Sequence, residues 1–97
     1  MTLGVKGALK MIAEELQLSE EELLKQGLRA FLERQLREIN VEISQITRRY
    51  GVSGVEEMEE RYRNGTLEEK DTWRDLHRLD HLEYKRDRLI KLLESLS

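Results

Sequence analysis

From Leu36 to Tyr50 the apolar residues Leu36, Ile39, Ile43, Ile46 and Tyr50 recur at alternating spacings of three and four. That is the heptad seam of one helix laid along another. Such a seam needs a second helix of matched length, so the chain is restricted to folds built on paired helices. No proline is present to break a helix by its covalent geometry. The mate is a second stripe made of Trp73, Leu76, Leu79, Leu82, Leu89, Ile90, Leu93 and Leu96. Lys85 and Arg86 interrupt it, but their alkyl stems still cover apolar surface.

Serine, threonine and glycine punctuate these stripes. In the first segment Leu9, Ile12, Ala13 and Leu16 share a helical face, which predicts a helix from about Leu3 to Leu18. Gly4 and Gly7 weaken its start. Leu3 and Val5 also alternate with Thr2, Gly4 and Lys6, leaving a short strand at Thr2–Lys6 as the alternative. Ser19-Glu20-Glu21-Glu22 is a capping box, in which Ser19 accepts from the amide of Glu22 and Glu22 reaches back to that of Ser19. The long helix it opens is expected to end at Tyr50. Arg48 and Arg49 suit the negative end of its dipole, and Gly51 suits a left-handed cap. Ser53-Gly54-Val55-Glu56 is a second capping box, before a short helix carrying Val55, Met58 and Tyr62, which Asn64-Gly65 ends. Thr66-Leu67-Glu68-Glu69 is a third, from which the last helix is predicted to run from about Leu67 to Leu96.

The expected fold is all-α and a single domain over 1–97. It comprises an N-terminal helix (1–18), a long helix (19–50), a short tip helix (53–64) and a long return helix (66–96). Helices of ~30 residues are about 45 Å long, and the compact connection between them predicts a coiled-coil-like antiparallel hairpin. Its core is expected to be Leu36, Ile39, Ile43, Ile46, Tyr50, Met58, Tyr62, Trp73, Leu76, Leu79, Leu82, Leu89 and Leu93. Trp73 is placed there as an anchor against Tyr50, Met58 and Tyr62, with a partner hot spot as the alternative. A hairpin cannot bury all its stripes. The remaining apolar residues, Leu9, Ile12, Leu16, Leu24, Leu28 and Phe31, are therefore expected to join two copies into a dimeric helical bundle. Gly27 lies inside the long helix, where glycine costs ~1 kcal/mol relative to alanine. It marks either the crossing point of that dimer or a tolerated defect.

Composition narrows the function. Charged residues make up 38% of the 97, against ~25% in ordinary domains, so a short chain has little apolar area to bury alone. The formal charge is −3, which does not indicate a nucleic-acid binder by overall balance. Arg48, Arg49, Arg61 and Arg63 stand among Glu56, Glu57, Glu59 and Glu60. Arg34 and Arg37 stand beside Glu33 and Glu38. Read this way, the sequence presents no clean basic stripe. With no cysteine there is neither a disulfide frame nor a thiolate metal site. No apolar run reaches the ~18 residues of a membrane span, and the N-terminus lacks the regions of a signal peptide, so a cytoplasmic location and no membrane partner are expected.

Chemistry-bearing patterns are sparse. His77 and His81 are four apart and share a helical face, but Arg78 stands where a zinc protease has glutamate, and no third ligand is set by spacing. Hydrogen bonding is the preferred role for both. Glu68, Asp71 and Asp75 lie on adjacent turns. Intrahelical pairing, as in Asp71 with Arg74 or Asp87 with Lys91, is preferred to acid–base work. No glycine-rich phosphate loop is present. These patterns predict no catalytic residues, no cofactor and no metal.

Two resemblances add expectations. Ile12-Ala13-Glu14-Glu15-Leu16-Gln17-Leu18-Ser19, followed by Glu20 to Leu32, resembles the two helices of ribbon-helix-helix proteins, dimeric repressors of which many are antitoxins. Arg49-Tyr50-Gly51-Val52-Ser53, Val55 to Glu59, Asn64-Gly65-Thr66, Asp71 to Asp75 and Leu79 to Glu83 are similar to a family of small uncharacterised prokaryotic proteins, often encoded beside a small toxin-like protein. The likeness implies an antitoxin-like role. The expected function is thus a homodimeric, non-catalytic protein–protein interaction module that binds a toxin-like partner. The alternatives are a DNA-binding transcriptional regulator that uses its N-terminal helices, with DNA the less favoured partner, and a structural coiled-coil adaptor.

Overall fold

The computed structural model describes residues 2–96; Met1 and Ser97, the ends of the expected single domain, lie outside them. Four helices follow in order: α1 (Val5–Leu16), α2 (Glu20–Tyr50), α3 (Val55–Arg63) and α4 (Trp73–Ser95). Among the described residues there is no strand, and Thr2 to Gly4 run without regular structure into α1.

Local chemistry sets each boundary. α1 ends where Gln17 adopts a left-handed conformation (φ 57°), with Leu18 N donating to Ala13 O at 2.9 Å and Gln17 N to Glu14 O. This pattern of closing bonds satisfies carbonyls that the helix end leaves open. Ser19 Oγ accepts from Glu22 N at 3.0 Å, the forward half of its capping box. Glu22 turns its carboxylate to Gln26 Nε2 at 3.1 Å, not back to Ser19. α2 then runs unbroken to Gly51, whose φ of 63° is the cap expected of glycine.

The second and third boxes form differently from the sequence reading. The N-cap of α3 is Gly54, with no side-chain cap of its own. Ser53 bonds Glu57 one residue beyond the expected glutamate, its hydroxyl at 2.7 Å and its amide at 3.0 Å from Oε2. These two donors hold the Glu57 carboxyl below the ordinary carboxylate range. The first amide of α3, Val55 N, donates to Glu83 Oε2 of α4 at 3.0 Å. Thr66 does not open α4 either. Its amide and hydroxyl both bond Asn64 Oδ1, at 3.0 and 2.6 Å. Arg61 O accepts from the amides of Thr66 and Leu67, which places Leu67 against the core. The hydroxyl that would cap a helix at Leu67 is thereby consumed, and α4 begins at Trp73.

α2 and α4 are antiparallel. Asp75 accepts from Arg49 at 2.9 Å and from the Tyr50 hydroxyl, Arg78 pairs with Glu42, and Arg29 donates to Leu96 O at 3.3 Å. The partner number falls as the residue number rises, so the helices form a hairpin with α3 at its tip. The core lies towards that tip. Ile39, Ile43, Ile46, Val52, Met58, Leu79 and Leu82 are buried, and Tyr50, Val55, Tyr62, Leu67, Leu76 and Leu89 pack against them. Leu36 and Leu93 are half-buried. Trp73 departs from its expected role as a core anchor. It is 44% exposed, because the late start of α4 puts it at the helix N-terminus, with its ring edge-on to His77 at 5.5 Å. Of the expected intrahelical pairs, Asp87 bonds Arg86 at 3.1 Å instead, and the Arg74 guanidinium lies 5.4 Å from the Trp73 ring centre.

The molecule is elongated, 61 × 30 × 16 Å, with a radius of gyration of 19.9 Å. A compact domain of this length has ~13 Å.

A candidate interaction face at the open end of the hairpin

The end away from the tip is closed by less than its sequence offers. α1 folds back on α2 and buries Ala13 alone, at 3% exposure. Alanine is the small residue of the α1 stripe, so the two helices approach there while the larger members of both stripes flank the contact. Ile12, Leu16, Leu24, Leu28 and Phe31 are all exposed, Leu28 at 51% and Phe31 at 60%; Leu9 is half-buried.

All of these but Leu16 line one surface. Leu9, Ile12, Leu24 and Leu28, with Val5 and Ala8, line an open groove of about 410 Å³ whose floor includes Gly27. A Cβ placed on Gly27 would meet no atom within 4 Å, so packing within the protomer does not require glycine at this position. A second groove of about 330 Å³ continues the surface across Leu28, Phe31 and Leu32 to Leu92 on α4 and Leu96 just beyond it. Sequence spacing missed the α4 contribution: Leu92 lies off the Trp73–Leu96 stripe, and only the antiparallel register brings it beside Phe31. Charged side chains of α1 and of the first turn of α2, among them Glu14, Glu15, Glu20 and Glu21, are exposed too. A folded monomer of 11.5 kDa exposes about 5,800 Å², whereas this chain exposes 7649 Å². The excess, roughly 1,850 Å², is more than twice the ~800 Å² that a standard interface removes from each partner, and the elongated shape contributes to it.

Among the described residues, no three of His, Cys, Asp or Glu are grouped so as to hold a metal ion. His77 and His81 are exposed on α4. Asp75, grouped by sequence with Glu68 and Asp71, ties Arg49 and Tyr50 of α2 instead. Among the described residues, no helix is long and apolar enough to cross a membrane.

The fold and this face define an all-helical hairpin protein with an uncovered apolar end. The chain belongs to the Uncharacterized protein MJ0235 family, whose model matches residues 1–97. No curated protein and no solved structure matches it.

Proposed function

We propose that this protein is a non-catalytic interaction module that pairs with a second copy of itself through the apolar face of α1, the first half of α2 and the end of α4. The observation that carries this reading is the continuous exposure of Ile12, Leu24, Leu28, Phe31 and Leu92. A monomer exposes few contiguous patches of this kind, and larger ones mark sites of association. A second copy is the favoured occupant because the surplus surface is present in every molecule and symmetric pairing is the commonest way to cover it. The paired form then presents the two hairpins to a protein partner. The likeness of the segments between Arg49 and Glu83 to proteins encoded beside small toxin-like proteins makes such a toxin the partner of choice, and the role antitoxin-like.

The test is light scattering after size exclusion, on the chain alone and after co-expression with the product of the adjacent gene. The expected results are a species of twice 11.5 kDa for the chain alone and one heavier complex of fixed stoichiometry after co-expression. A monomer at all concentrations sinks the pairing; a pair that leaves the neighbour's product free sinks the antitoxin role.

A further inference from the structure

The solvent face of α4 carries a second feature, independent of the apolar end. Along the chain, the cations of α4 alternate with Asp80, Glu83 and Asp87. At 3.6 residues per turn they separate, because the carboxylates fall towards the side nearer α3 and the cations, half-buried Arg86 apart, towards solvent. Arg74, Arg78, Lys85, Arg88 and Lys91 lie within a sector of roughly 140°, and all are exposed. Trp73, His77, His81 and Tyr84 share that sector and are exposed too, Tyr84 at 64%. From Trp73 to Lys91, every residue in it is a cation or carries an aromatic ring, and none is a carboxylate. Glu42 of α2, which pairs with Arg78, borders it on one side; Asp80 and Asp87 border it on the other. At ~1.5 Å per residue the stripe is about 27 Å long.

The geometry points to a binding surface for single-stranded nucleic acid on this face of α4. The cations complement a phosphodiester backbone, and the rings complement unpaired bases, which alone offer a free face for stacking. An acidic protein segment would use the cations and leave the rings idle. A duplex would use the cations and hide its bases. At the N-terminal end the Arg74 guanidinium already lies 5.4 Å from the Trp73 ring centre, and the His77 ring stands at 85° to the indole. The guanidinium thus covers one face of the indole, and a base would stack on the other or take the place of Arg74. Trp73 is the single tryptophan of the chain, so its emission reports on that contact directly.

The experiment is fluorescence anisotropy of a labelled 12-nucleotide oligothymidine titrated with the full chain at low salt, followed in parallel by Trp73 emission. Binding with quenching of Trp73 is expected, and affinity should fall with salt at a log–log slope of about −3, as for roughly four phosphates neutralised on a single strand. Trp73→Ala should weaken binding roughly 5- to 150-fold, the worth of one base stacked on an aromatic ring. Lys85→Glu with Arg88→Glu should weaken it at least as much, with the circular dichroism spectrum unchanged. Arg63→Glu on α3 should leave it unaltered. No binding of the oligothymidine overturns the proposal. Equal affinity for a 12-base-pair duplex or a polyglutamate peptide overturns it as well, as does a loss with Arg63→Glu matching that of the α4 pair.

Discussion

At the scale of single residues, the tip of the hairpin is held by polar groups that the heptad pattern hides. Tyr50 is the last member of the α2 seam, and its ring packs against the core while its hydroxyl donates to Asp75 of α4. That bond raises the Tyr50 pKa above its ordinary value, with burial acting in the same direction. The raised folded-state pKa sets the sign of the pH effect. The stabilisation is complete below about pH 10, the unfolded value, and is lost as the pH rises through the folded value. Tyr50→Phe should therefore lower stability by about 1–2 kcal/mol at neutral pH, and the difference from the parent should shrink above pH 10. Urea midpoints at pH 7 and pH 10.5 check this, and a difference that does not shrink at the higher pH rules the account out. The place of Tyr50 in the seam was legible from spacing. Its partner was not, because Asp75 lies 25 residues away on another helix and belonged by spacing to a cluster with Glu68 and Asp71.

At the scale of elements, the order of the helices and their antiparallel pairing followed from apolar period and punctuation, and α2 has the limits that Ser19 and Gly51 announce. α3 keeps the limits expected of it and α4 ends within a residue of its expected end, but the start of α4 was not legible, and neither was the group that caps α3. Thr66 is taken by Asn64, and the first amide of α3 is taken by Glu83. Arg61 adds a clamp of the same kind, donating to Tyr50 O and Gly51 O, both at 2.9 Å, at the C-terminus of α2. Gly54 is part of the Glu83 device. A Cβ there would stand 2.7 Å from Glu83 Oε2, so any side chain pushes the carboxylate off the helix end. Gly54→Ala should destabilise by about 1 kcal/mol, the usual worth of a lost cap. Glu83→Ala should cost a similar amount. Because both changes remove one interaction, the double variant should cost little more than either alone, a coupling that a double-mutant cycle reads. Additive losses would show that Gly54 matters for another reason. The basic face of α4 was illegible for a geometric reason too. Its cations alternate with acids in sequence, and only the helical wrap sorts them.

At the scale of the whole molecule, the buried core occupies one end of a 61 Å rod, and the other end holds apolar side chains that the protomer leaves in water. The sequence indicated that two stripes would be left over, but not that Leu92 of α4 would join them. If pairing covers that end, folding and association are one equilibrium, and the melting temperature should rise with protein concentration. We expect a rise of several degrees between 1 and 100 µM, measured by circular dichroism. Leu28→Asp separates the two contributions, because Leu28 is half exposed in the protomer and an aspartate there has water around it until a partner arrives. The variant should be monomeric, should melt lower, and should melt at one temperature regardless of concentration. Gly27→Leu tests where the helices cross. The protomer has room for the side chain, so a weaker pair would place a partner backbone against Gly27, and an unchanged one would place it elsewhere. A parent chain whose melting temperature ignores concentration would instead show that the tip core suffices alone, and that the exposed end waits for a different protein.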